Sequence, residues 1–275
     1  MVVVLIARYD TKIIFTNSYM EVWEYENPIS IKDEIPVDEN SEMLIAHKAT
    51  EPKNKRRTFD ELSNEEQEQR LNKMKSQRLK AKHNLLRIVD CNYCKKTSFL
   101  TLTVKENIKD RETFNNMFKA FIKRFYYHVY KTKKSKLKYI ACLEQQKRGA
   151  YHAHLLLFDV PFIPHKKLLE IWGHGGVTIN NLQHLDDVSN TGRYVAKYME
   201  KGIGQELLDS FGKKSYYASR NLKRPTEIKT TNSSDFEIDE ANVLYENSYS
   251  SKVYRNGKFI DNPVTYKKIK IDKGG

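Results

Sequence analysis

The chain is poor in cysteine. Three thiols in 275 residues cannot build a disulfide framework and fit a reducing, cytoplasmic setting. Long apolar runs are also missing: nothing approaches the roughly 20 residues that cross a bilayer, so no membrane partner is expected. The opening Met1–Ile6 stretch is apolar, but it lacks the basic leader and small-residue cleavage site of a signal peptide. There is no internal repeat. No Gly-x-x-x-x-Gly-Lys-Ser/Thr loop occurs, so a fused helicase is not expected. Cys91-Asn92-Tyr93-Cys94 looks like half a zinc site. With no second Cys-x-x-Cys, and Cys142 a poor substitute, a turn with incidental thiols is the better reading.

What the chain does have is positive charge. Its net charge of +13 attracts polyanions and makes their binding salt-dependent. The same chain carries 17 tyrosines and 12 phenylalanines, rings on which unpaired bases could stack. A hydrophobic content of 39% is enough for a core. Composition therefore points to a globular nucleic-acid-binding protein, against the plainer reading of a basic protein with aromatics in its core.

Residues 13–26 alternate imperfectly and contain Val22, Trp23 and Tyr25, which predicts strands or a hairpin. Residues 27–57 are polar, with Pro28, Pro36 and Pro52, and read as a partly disordered linker. Thr58 or Asp60 is placed to cap a charged helix running from near Glu61 to about Leu86. Ser98–Val104 and Tyr139–Leu143 read as strands. Between them Phe114, Met117, Phe118, Phe121, Ile122 and Phe125 recur at helical spacing. A basic connector spans Lys131–Lys138, and Gln145–Gly149 looks like a hairpin turn. Pro161 and Pro164 end the next strand, His165–Trp172 forms a short helix, and Val177–Ile179 a short strand. Near Ser251–Tyr254 an isolated strand is expected. Strands and helices in this order predict an α+β fold, an antiparallel sheet with helices packed on it.

The chemistry concentrates in Ala150–Phe158. His152 and His154 lie two apart in an apolar run, so in a strand both imidazoles project from one face while Ala153 projects from the other. Such a pair can hold a divalent metal, although buried histidine pairs without metal are common. Glu144 precedes the hairpin turn and is the candidate third ligand. Register decides whether it joins the histidines or remains an edge-strand carboxylate meeting Lys147 or Arg148. Two imidazoles and a carboxylate suit Mn²⁺ well and Mg²⁺ tolerably. Some forty residues on, Tyr194-Val195-Ala196-Lys197-Tyr198 sets two phenols at i,i+4 on a helix with an ammonium beside the first. Alone, that pattern reads as two aromatics on a buried face. Behind a paired-histidine strand it suggests metal-assisted attack on a phosphodiester.

The order Phe99-Leu100-Thr101-Leu102-Thr103, then Glu144 with His152-Ala153-His154, then Tyr194-x-x-Lys197-Tyr198 resembles the rolling-circle replication initiators of the HUH endonuclease superfamily, the plasmid and single-stranded-DNA-phage replication proteins. Arg148-Gly149 and Lys213–Arg220 also look like those proteins. The resemblance covers about residues 85–230, between extensions at 1–84 and 231–275. It implies a ferredoxin-like sheet with the His-x-His strand central, and a metal at His152, His154 and Glu144. It further implies nicking of single-stranded or hairpin origin DNA, leaving a 5′-phosphotyrosine and a 3′-hydroxyl primer, with a host helicase and DNA polymerase as partners. Tyr194 matches the nucleophile of single-tyrosine members and Tyr198 the second nucleophile of two-tyrosine members; Tyr194 is preferred as primary. Ala153 departs from the bulky apolar residue that the family places between the histidines. Lys147, Arg148 and Arg193 beside the chemistry, and Lys213, Lys214 and Arg220 further on, are the candidate DNA contacts. The competing readings are a transposase or relaxase of the same superfamily, or a non-catalytic nucleic-acid-binding regulator. A relaxase places its nucleophile ahead of the histidines, whereas here it follows them.

Overall fold

The computed structural model describes residues 8–30, 57, 59–131, 136–146, 148–182, 216–231, 240–255 and 258–271. These residues form two antiparallel five-stranded sheets and three α-helices, an α+β arrangement. The chain divides into two compact units, one of Met1–Phe15, Tyr19–Arg70 and Thr226–Gly275, the other of Thr16–Ser18 and Leu71–Pro225.

In the first unit, β1 (Arg8–Phe15) and β2 (Tyr19–Ser30) are the hairpin expected near residues 13–26. With β8 (Thr226–Thr230), β9 (Val243–Arg255) and β10 (Lys258–Lys270) they give the order β8-β1-β2-β10-β9. Ile13 faces Val22, and with Ile269 these two form a small apolar cluster on one side of the sheet. β2 runs to Ser30, past the start of the expected linker, most of which lies outside the described residues. Strand β9 is not isolated: Arg255 pairs with Lys258 and the two strands remain paired to Val243. The intervening Asn256-Gly257 is the dipeptide that favours two-residue hairpin connections. Pairing of β10 with β2 begins only at Val264. Just before it, fully buried Asn262 replaces the ladder: its amide accepts from the Asn27 N–H at 2.8 Å and donates to the Asn27 carbonyl at 2.9 Å.

Helix α1 (Asn64–Asn92) starts later than its charge pattern suggests. Neither expected cap serves it. Thr58 lies outside the described residues, and Ser63 rather than Asp60 makes the reciprocal capping pair with Glu66, at 3.3 and 3.0 Å.

The second unit holds β3 (Ser98–Leu102), β4 (Lys138–Gln145), β5 (Tyr151–Phe158), β6 (Val177–Asn181) and β7 (Tyr217–Ala218), in the order β6-β3-β5-β4-β7. On one face, Leu100, Leu102, Leu143, Ala153 and Leu155 pack against α2 (Arg111–Tyr130) and α3 (His165–Trp172). Phe114, Phe118, Phe121 and Phe125, spaced four, three and four apart, are the buried stripe of α2. Asp110 caps that helix, accepting from the Thr113 N–H at 2.7 Å. Arg124 of α2 donates to the Ile171 and Trp172 carbonyls at 2.8 and 3.0 Å, satisfying groups that the end of α3 leaves open. On the opposite face Leu85, Ile88 and Val89 of α1 cover Phe99, Ile140 and Leu156. Gly175 allows the chain to pass β3 closely: a Cβ there would lie 2.5 Å from the Thr103 carbonyl oxygen, at φ +157°.

Candidate metal centre

Strands β4 and β5 are joined by a tight connection in which the Gln146 N–H donates to the Ala150 carbonyl and the Gly149 N–H to the Gln146 carbonyl, both at 2.8 Å. Gly149 takes φ +90°, open to glycine and strained for other residues. This turn sets the register that the sequence leaves open. Glu144 stands opposite His152, and Cys142 opposite His154. Since paired residues share a face and residues two apart do too, Glu144, His152 and His154 project together. On the neighbouring strand Thr101 stands opposite His154 and joins the same face. Ala153 projects to the other side, where it is fully buried under α2 and α3. A small residue there leaves room for the phenylalanine stripe.

The Glu144 carboxylate accepts from both imidazoles through one oxygen. Oε2 lies 3.0 Å from His152 Nε2 and 2.7 Å from His154 Nε2. The imidazole rings meet edge to face with centroids 4.5 Å apart. The side chains are 13, 13 and 10% exposed for Glu144, His152 and His154, so the cluster is shielded yet open to solvent. Hydrogen bonds from His152, then His154, hold the Glu144 carboxyl down at about 2 against the opposing effect of burial. One ligand atom from each residue lies within 4.8 Å of the others. Two imidazole nitrogens and a carboxylate oxygen converging in this way are a fitting donor set for a divalent ion such as Mn²⁺ or Mg²⁺.

Two residues that the sequence did not mark support the histidines from behind. Thr101 Oγ1 is 3.2 Å from His154 Nδ1, and Gln146 Nε2 is 3.5 Å from His152 Nδ1. Phe99 stacks on the His154 ring at 5.6 Å. The alternation in Phe99-Leu100-Thr101 was the available signal, but only the β3–β5 register assigns Thr101 to His154.

Of the candidate DNA contacts, Arg148 braces the turn: its Nε donates to Gln146 Oε1 at 2.9 Å and Nη2 to the Val104 carbonyl at 3.1 Å. Arg220 is exposed just after β7. Tyr216 accepts a hydrogen bond from Asn84 at 3.1 Å, and Tyr217 packs on Phe118 with centroids 5.8 Å apart, so both rings serve the fold. Tyr194, Lys197, Tyr198, Lys147, Arg193, Lys213 and Lys214 lie outside the described residues. Cys91 is buried in the last turn of α1, and Cys94 sits in the following turn, its N–H donating to Thr97 Oγ1 at 3.0 Å. Among the described residues neither thiol belongs to a three-donor group. A cavity of about 550 Å³ lined by Lys96, Ser98, Leu157 and Phe162 contains none of the triad.

Residues 97–203 match the model of a family described as replication-associated proteins of the ORF2 type. The match covers less than half of the chain but includes β3, all three metal-ligand candidates and the Tyr194–Tyr198 motif. It is consistent with a rolling-circle replication initiator. No curated protein and no solved structure matches the chain.

Proposed function

We propose that this chain is a rolling-circle replication initiator that nicks single-stranded or hairpin origin DNA and remains joined to it through a tyrosine. The observation carrying this reading is the convergence of Glu144, His152 and His154 on one sheet face, within a segment that matches a replication-associated family. The sheet order, with β5 between β3 and β4, supports the ferredoxin-like arrangement of such a domain.

A divalent ion held by His152, His154 and Glu144 would supply Lewis-acid polarisation of the scissile phosphate oxygens. The chain's own residues do the rest. Glu144 orients both imidazoles through one carboxylate oxygen and balances charge. Thr101 and Gln146 steady the imidazoles from their Nδ1 sides. Tyr194 is the preferred nucleophile: its phenolic oxygen forms a bond to phosphorus, its proton passes to solvent, and the bond from phosphorus to the 3′-oxygen breaks. That oxygen takes up a proton and becomes the free 3′-hydroxyl. Lys197 stabilises the phenolate or the phosphate, and Tyr198 is the second acceptor. Because a phosphodiester is exchanged for a phosphotyrosine, the strand can be rejoined without ATP.

The test is incubation with Mn²⁺ and single-stranded oligonucleotides from the replicon's origin, followed by denaturing gels. A covalent adduct that disappears in His152→Ala and in one of Tyr194→Phe or Tyr198→Phe is the expected result. Tight binding with no adduct on any cognate strand would overturn the nuclease reading and leave a binding protein.

A further inference from the structure

The sheet of the first unit has two unlike faces. One carries the apolar Ile13–Val22–Ile269 cluster. The other carries rings and lysines that the catalytic reading does not use. We propose that this second face is a stacking platform for single-stranded DNA, separate from the metal centre.

Cross-strand register builds the platform. Lys12 stands opposite Trp23, Trp23 opposite Tyr266, and Tyr245 opposite Lys268 on the same face. The result is a row running across the strands: Lys12 lies over the Trp23 ring at 5.4 Å, Trp23 meets Tyr266 at 5.0 Å, and Tyr266 meets Tyr245 at 6.0 Å. Two residues further along β2, about 7 Å away at the rise of a strand, Tyr25 belongs to a second row. Tyr25 meets Tyr9 edge to face at 5.9 Å, Lys229 lies over Tyr9 at 5.3 Å, and Tyr249 stands on the other flank, opposite Val264. Each row therefore ends in a lysine at the β8–β1 side. At the β9 end Tyr245 and Tyr249 are 54 and 44% exposed.

Charge and chemistry select the occupant. Lys12, Lys229, Lys268 and Lys270 outnumber Glu21 and Glu227 on this face. Glu227 is already paired with Lys12 and Lys229 at 3.1 and 3.2 Å, and Glu21 accepts from the Tyr266 hydroxyl at 2.8 Å. Rings in rows about one residue pair apart, edged with cations, suit unpaired bases joined by phosphates. A duplex hides its base faces and offers such rings little. The choice of DNA over RNA rests on the replication reading; the platform itself does not.

Trp23 and Trp172 are the two tryptophans, and Trp172 is 0% exposed, so a change in tryptophan emission reports on the platform. The full chain is titrated with an oligo-dT strand in EDTA, which silences metal-dependent chemistry and makes the result independent of adduct formation. Expected are saturable quenching that weakens as salt rises, and at least about a tenfold loss of affinity in Tyr245→Ala/Tyr249→Ala. Both side chains are exposed, so this variant keeps its fold, which circular dichroism verifies. Trp23→Phe is expected to lose the emission change while still binding by anisotropy. Binding by anisotropy with unchanged emission and an unaffected double variant would overturn the proposal, since the strand would then lie elsewhere. Equal affinity for duplex would overturn it too, and tighter binding of oligo-rU would overturn the assignment to DNA.

Discussion

Glu144 stands directly opposite His152 across the β4–β5 hairpin, and its Oε2 lies within hydrogen-bond reach of His152 and of His154 two residues further on. One carboxylate oxygen thus spans both imidazoles, which is the geometry from which the metal reading grows.

Removing a ligand should remove the ion without removing the fold. Glu144→Gln keeps the shape and loses the charge, and His152→Ala loses a donor. Mn²⁺ affinity measured by calorimetry is expected to fall at least about a hundredfold in each, with far-ultraviolet circular dichroism unchanged.

Thr101 reaches His154 Nδ1 at 3.2 Å. A hydroxyl can donate to that nitrogen or accept from it, so it suits either tautomer. Thr101→Val keeps the volume and loses both abilities, and is expected to weaken Mn²⁺ binding about tenfold or more. Thr101→Ser should restore it. Equal affinity in all three proteins would show that Thr101 only fills space.

Acid should destabilise the metal-free protein through Glu144. Its carboxyl is lowered from 4.5 to about 2 by the two histidines, so as pH falls the unfolded chain takes up the proton first. The stabilisation is fully present above about 4.5 and is lost as pH falls towards 2; the lowering corresponds to at most about 3 kcal/mol. Urea midpoints recorded in EDTA at pH 6, 4 and 3 should fall more steeply for the native chain than for Glu144→Gln.

Phe121 is fully buried between Phe125 and Trp172, with ring centroids 5.5 and 5.7 Å away. Phe121→Ala should destabilise the second unit by about 3–5 kcal/mol, read as a lower urea midpoint.

Local pattern made much of the second unit legible. Period two marked β3, β4 and β5, and the phenylalanine spacing marked α2 to within two residues at either end. The pairing of the histidines on one face followed from the same period. What the sequence left open depended on register. Glu144 could have faced either side, and the turn at Gln146–Ala150 decides it. Capping was misplaced because several polar residues precede α1 and only geometry selects Ser63. The Asn256-Gly257 signal was present in the sequence, yet β9 was read as a strand without a partner. The first sheet was illegible for another reason. It joins β1 near the start of the chain to β8 and β10 more than two hundred residues later, and no local pattern encodes a pairing at that separation.

The β4–β5 turn therefore acts as the reading frame of the site. Lengthening it by one residue would leave Glu144, His152 and His154 in the sequence, yet a one-position slip exchanges the faces of a strand. The carboxylate would then point toward the side occupied by Phe114 and Leu155, parted from its histidines. Inventories of conserved side chains would score such a chain as intact. In this family of hairpins, loop length is as much a part of the active constellation as any ligand, and variants sampled from nature should be sorted by it first.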